Sequence, residues 1–285
     1  MAQTTIDHDW LAELSRRTDD ILWGGYRYSQ GASDAPWPRV LFPLKGHEPR
    51  VGEHEARVAF IAALLADPAG APWAFAAEAP TRLSYRFAGR AAGPRAHRAL
   101  TDLALYRDDP DTPALAVEFK SGGRSGRSEQ DENIRKDMAK VLAEQPAALW
   151  FHLVRDASET TLQGLLRTLD TAISQLSNPY KLAAYLASGK TYEPRAKQIA
   201  FHVCLLSAGA MVSVHRVLDY VPGKPKDEFF TLDTTFGGEA AATGSEATGS
   251  EATGADAAGG EAAPGGAAAV AIADGQGWSV YRTSA

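Results

Sequence analysis

Residues 99–120, ALTDLALYRDDPDTPALAVEFK, decide how this chain is read. Leu103 and Leu105 alternate with Asp102, Ala104 and Tyr106, and Leu115, Val117 and Phe119 alternate with Ala116, Glu118 and Lys120. That alternation predicts two half-buried strands, over residues 99–106 and 114–120. Between them, residues 107–113 hold two prolines and three aspartates, the composition of a turn. A hairpin folded symmetrically about Pro110 sets Asp102 opposite Glu118, with Lys120 on the same face. Opposed side chains in an antiparallel pair have Cβ atoms about 4.5–5.5 Å apart, so two like charges there destabilise the sheet unless a cation or proton intervenes. Lys120 brings one positive charge against two negative ones. A hard divalent cation held by carboxylate oxygens would supply the rest, which points to magnesium or manganese. The same residues would also serve as a salt-bridge cluster on an exposed sheet face.

Working outward, residues 82–88 (RLSYRFA) alternate Leu83, Tyr85 and Phe87 against Arg82, Ser84 and Arg86, which predicts a strand before the hairpin. Ahead of it, EHEARVAFIAALLAD predicts a helix from Gly52 to just before Pro68. Glu53 and Glu55 lie in its first turn, where carboxylates suit the helix dipole. Glu55 is expected to share a protein-facing side with Val58, Ala62 and Leu65. After Lys120, the loop SGGRSGRS leads to a helix over residues 129–144, with Ile134, Met138, Val141 and Leu142 inward, and AALWFHLV (147–154) reads as a strand buried on both faces. The order is helix, three strands, helix, strand.

The flanks are simpler. Asp7 or Asp9 caps an N-terminal helix carrying Trp10, Leu11, Leu14, Ile21 and Leu22, and residues 23–50 are expected to be an irregular aromatic-rich extension with one short strand at 39–44. Beyond residue 154, Ser158 caps an amphipathic helix that ends at Asn178-Pro179, followed by a short helix over 180–188. Two further strands, 199–206 and 211–218, are expected to extend the same sheet. Residues 237–266 contain ATGSE, ATGSE and ATGAD in tandem and almost no large apolar side chain, the signature of a disordered acidic linker. The last segment, 267–285, is expected to form a hairpin turning at Asp274-Gly275. The expected domains are therefore a 1–50 extension packed on a 51–236 core, the linker, and that hairpin.

Composition narrows the function. The 285 residues are 45% hydrophobic, enough for a sizeable core, and no apolar run approaches the length of a membrane span or the form of a signal peptide. A single cysteine, Cys204 in the apolar run AFHVCLL, excludes an internal disulfide, suits a reducing cytosol and reads as a packed thiol, so a cytoplasmic location is expected. The net charge of −6 is carried mostly by the linker, whose five acids leave the rest of the chain at −1. Within the remainder, residues 82–98 hold Arg82, Arg86, Arg90, Arg95, Arg98 and His97 without one acid, the asymmetry expected of a phosphate-binding surface. Gly189-Lys190-Thr191 lacks the earlier glycine of a phosphate-binding loop, and the seven histidines show no zinc spacing.

Thr101-Asp102, Glu118-Phe119-Lys120, the helix bearing Glu55 and the helix ENIRKDMAKVL together resemble the PD-(D/E)xK nuclease superfamily, over about the central third of the chain. Thr101 stands where the motif has its proline. The resemblance implies an α/β restriction-endonuclease-like αβββαβ core, with a mixed central sheet flanked by helices, and magnesium-assisted phosphodiester hydrolysis of nucleic acid, DNA in preference to RNA. It implies that Asp102 and Glu118 bind the metal, Glu55 is a further or water-mediated ligand, and Lys120 orients or deprotonates the attacking water with a pKa that can be depressed. Phosphate contacts would come from Arg82, Arg86, Arg90, Arg95 and Arg98, from Arg124 and Arg127 in the following loop, and from Lys136, with Gln130 and Asn133 as weaker candidates. Two-strand cutting would call for a homodimer. The alternative is an inactive module of the same fold that binds nucleic acid, a ligand or a protein; a third possibility is an interaction protein whose acidic repeat tethers the terminal hairpin.

Overall fold

The computed structural model describes residues 6–46, 48–68, 72–86, 97–122, 128–144, 146–155, 159–187, 195–207, 209–223, 270–273 and 279–284. In chain order these form α1 (His8–Ser29), the two-residue strands β1 (Leu44–Lys45) and β2 (Glu48–Pro49), α2 (Glu53–Ala66), β3 (Ala74–Tyr85), β4 (His97–Tyr106), β5 (Leu115–Ser121) and α3 (Ser128–Ala143). They continue with β6 (Ala147–Arg155), α4 (Glu159–Leu176), α5 (Pro179–Ala183), β7 (Lys197–Leu206), β8 (Ala210–Tyr220), β9 (Val270–Ala273) and β10 (Ser279–Ser284). The linker and the 274–278 turn lie outside the described residues.

Six strands, β3 to β8, lie side by side in chain order in a mixed sheet, and β10 and β9 extend it beyond β8. The β3–β4–β5 meander is antiparallel, β5–β6 and β6–β7 are parallel, and β7–β8 is antiparallel. A parallel step needs a crossover, and α3 and α4 supply the two required. Both lie on one face, where Met138, Leu142, Leu166 and Leu169 pack on Trp150 and Phe201. On the other face Leu14, Leu22, Phe60 and Ala63 of α1 and α2 pack on Leu103, Val117, Phe119 and Phe151. Strand β6 is buried almost end to end because it is covered on both sides.

Four expectations are corrected. Helix α1 continues through Gly24-Gly25 to Ser29, capped by Asp7, which accepts from the Asp9 and Trp10 amides. Gly25 is needed there because a Cβ would sit 2.3 Å from the Val40 carbonyl oxygen where the following segment crosses the helix. In place of a strand over 39–44, residues 39–43 bury Val40 and Phe42 outside any strand, and pairing begins only at Leu44, the first residue of β1. Strand β3 begins eight residues earlier than Arg82, in an alanine-rich stretch with Pro80; an edge strand tolerates both, since one side of its ladder is unpaired. On α2 the buried face is Ala56, Ala59, Phe60, Ala63 and Leu64, with Glu55 at its border, while Val58 and Leu65 face solvent. Apolar residues ring this helix, so periodicity could not choose its face.

Candidate functional site

The β4–β5 register pairs Leu105 with Leu115, Ala104 with Ala116 and Leu103 with Val117, as a hairpin centred on Pro110 requires. The ladder stops there. At the next position the Asp102 carboxylate takes over, Oδ2 accepting the Phe119 amide at 2.8 Å. A buried lysine of α3, Lys140, donates to the Leu100 carbonyl at 2.9 Å and to Glu118 Oε2 at 3.0 Å. The strands therefore part beyond Leu103 and Val117, and their backbone groups are satisfied by charged side chains in place of each other.

Alternation puts Glu118 and Lys120 on the α3 side of β5, opposite Val117 and Phe119. Glu118 is 2% exposed. Burial pushes its carboxyl up to about 8, with Lys140 and Lys120 pulling down and Asp102 and Asp137 pushing further up. Lys120 reaches Asp137 Oδ2 at 2.8 Å and Glu53 Oε1 at 3.6 Å. Burial alone would lower the Lys120 ammonium, but Asp137 and Glu53 outweigh it and raise its pKa, opposite to the depressed lysine expected from the resemblance. Asp137 also binds Lys140 through Oδ1 at 2.9 Å, so each of its oxygens holds one lysine. Its carboxyl stays below the usual range because the two lysines overcome burial. Glu53 is raised by burial first, with Lys120 opposing.

The structure thus brings Asp102, Glu118 and Lys120 into one charged cluster. Glu55 is buried with Oε2 unpartnered beside Gly52, and no hydrogen bond or ion pair joins it to the three. Glu53, its neighbour on α2, makes the link to Lys120. Arg82, Arg86 and Arg98 are exposed, and Lys136 is half-buried. Arg90, Arg95, Arg124 and Arg127 lie outside the described residues, as do the side chains of Gln130 and of His97.

Sequence reasoning missed Glu53, Asp137 and Lys140. The last two stand at i and i+3 on α3, beside the inward Met138 and Val141, a charged stripe at core-facing spacing that could have been noticed. It also missed Glu78, opposite Asp102 on β3, whose φ of 54° is left-handed and whose carboxylate meets Arg57 at 3.5 Å. Arg57 in turn reaches the Asp102 carbonyl. His152, paired with Lys120 across β5–β6, donates from Nε2 to the Gly122 carbonyl at 2.7 Å and fixes the end of β5. Burial lowers that imidazole to about 4, so it is neutral near pH 7.

No protein-family model, curated protein or solved structure matches this chain.

Among the described residues, no three His, Cys, Asp or Glu side chains are gathered tightly enough to enclose a metal ion. Magnesium does not require such an enclosure, because it keeps several waters and is usually held by one or two carboxylates. Four carboxylates, Glu53, Asp102, Glu118 and Asp137, meet here against two lysines, an all-oxygen donor set with excess negative charge. Asp102 Oδ1 and Glu118 Oε1 accept no hydrogen bond from a described residue. The donor chemistry fits a hard divalent cation.

Proposed function

We propose that this chain is a metal-dependent nuclease with a PD-(D/E)xK core, hydrolysing phosphodiester bonds of nucleic acid, DNA in preference to RNA. The observation that carries the reading is the parting of β4 and β5 at the point where Asp102 and Glu118 stand in register, with Lys120 on the same sheet face. The order α2, β3–β4–β5, α3, β6, with β5 and β6 parallel, supports it.

Asp102 and Glu118 would hold magnesium or manganese, with Glu53, which pairs with Lys120 at 3.6 Å, as a further ligand through water. Bound there, the ion supplies charge neutralisation at the phosphate and an acidified water. The remaining roles belong to the chain. An ammonium has three N–H donors; Asp137 engages one of those on Lys120 at 2.8 Å, Glu53 stands at ion-pair distance, 3.6 Å, and a remaining donor would orient the attacking water or a phosphate oxygen. His152 keeps the end of β5, and so Lys120, in place. The exposed Arg82, Arg86 and Arg98 contribute sequence-independent phosphate contacts.

Calorimetric titration with magnesium tests the ligand assignment. Wild-type protein should bind, and Asp102→Asn, which keeps the hydrogen bond to Phe119 but loses the charge, should weaken affinity at least about tenfold. Equal affinity would remove Asp102 from the site.

A second reading has one observation in its favour. Lys140 already neutralises Glu118 from within the protein, as it would in a module that binds nucleic acid without cutting it. Binding without cleavage under any divalent metal would establish that reading.

A further inference from the structure

Lys140 is not a solvated helix residue that happens to lie near an acid. It is buried, and all three of its ammonium donors are used, on Leu100 O at 2.9 Å, Glu118 Oε2 at 3.0 Å and Asp137 Oδ1 at 2.9 Å. These oxygens come from three separate elements, β4, β5 and α3, and they converge at the mouth opened where the β4–β5 ladder ends. Two carboxylates and a main-chain carbonyl are the donor types a hard cation selects. The ammonium fills such a cage with a fixed charge of +1, at the cost of burying it, a cost that this degree of pairing offsets.

We propose that Lys140 is a built-in cation: its ammonium occupies a position that a divalent ion would otherwise take, so the cluster accepts one fewer metal ion than its carboxylates could hold. This rests on the reading of Asp102 and Glu118 as the metal-binding pair, and it assigns to Lys140 the positioning of Glu118, one of whose oxygens it holds while the other stays available. Lys120 does not share this role. Its partners are Asp137 and Glu53, and it is the more exposed of the two lysines.

The test is manganese stoichiometry, by calorimetry and by electron paramagnetic resonance of free manganese, on the full chain and on two variants. Lys140→Ala vacates the cage, and Lys140→Gln replaces the ammonium with a neutral group that adds an oxygen. Each is expected to bind one more manganese ion per chain than wild type, and manganese should raise its melting temperature by more than it raises that of wild type. Lys140→Met, which keeps the stem and fills the space without charge, should show no extra ion. Folded Ala and Gln variants with the wild-type number of ions and the wild-type thermal response would overturn the inference. Wild-type protein that binds no manganese would count against the nuclease reading, and the difference between variant and wild type would still decide the role of Lys140.

Discussion

Asp137 holds the cluster together, because one carboxylate fixes two lysines that otherwise repel each other. Asp137→Asn keeps the shape and removes the charge, which leaves two buried ammonium groups under-compensated. The expected cost is about 3 kcal/mol, the scale for removing one partner of a buried ion pair, read as a lower urea midpoint at unchanged m-value. A loss below about 0.5 kcal/mol would show that Glu53 and Glu118 suffice without it. Asp102, Glu118 and Lys120 were legible in the sequence because a strand has period 2 and a short hairpin has one symmetric register, so face and opposition both follow from counting. Asp137 and Lys140 were legible only as charges at core-facing spacing on α3, without the partners they meet. Their approach depends on how α3 is rotated over the sheet, which the sequence alone does not fix. Glu55 was preferred to Glu53 because its side of α2 was expected to face the protein, and it does; Glu53, on the exposed side, is the one that reaches Lys120.

At the scale of the element, α3 is pinned at its C-terminal end. Lys197 of β7 donates to the Val141 carbonyl and, at 2.7 Å, to the Glu144 carbonyl, at the end of the helix where carbonyls run out of intrahelical donors. The Glu144 carboxylate accepts the Arg82 and Leu83 amides of β3 at 3.1 Å each and the Tyr85 hydroxyl at 2.9 Å, which closes the irregular step between Pro80 and Ser84. Burial lowers Lys197 to about 7, against the opposing pull of Glu144. The sign follows directly. Above its ordinary value of 10.5 the lysine is neutral in both states; between 7 and 10.5 only the unfolded chain carries the proton, and below 7 both do. Stability should therefore rise as pH is raised from about 7 to about 10.5, by at most roughly 5 kcal/mol from this group. Lys197→Met should flatten that rise when melting temperatures are compared across the range, and an unchanged slope would show that the lysine stays charged in the fold. The alternating and the fully apolar strands were read correctly from pattern alone. The first half of β3 was not, since AFAAEAPT has one β-branched residue, Thr81 at its end, and no apolar–polar alternation, and is held in the sheet by its neighbour.

For the whole molecule, the N-terminal segment is part of the core and more than an added layer. Asp19 of α1 accepts from His202 Nε2 at 2.8 Å, and His202 Nδ1 lies 3.3 Å from His215 Nδ1, all three buried between α1 and the β7–β8 pair. Asp19→Ala should cost about 2–4 kcal/mol by stranding a buried imidazole, and an unperturbed denaturation curve would mean that α1 docks by apolar contact alone. The sequence showed a helix there but not its polar anchor, because residues 19 and 202 are joined only by the fold. The C-terminal strand β10 pairs with β8 and so covers that sheet edge, a docking that the Asp274-Gly275 turn signal did not reveal. Among the described residues no helix is long and apolar enough to cross a membrane.

The measurement closest to the central claim is cleavage of labelled single- and double-stranded DNA and of RNA, with magnesium, with manganese and with chelator. The account predicts metal-dependent cutting by the wild-type chain, reduced at least about 100-fold in Lys120→Ala and in Asp102→Asn while both variants stay folded. Cleavage that survives in both variants, or a wild-type chain that binds nucleic acid and leaves it intact with every metal, would contradict it.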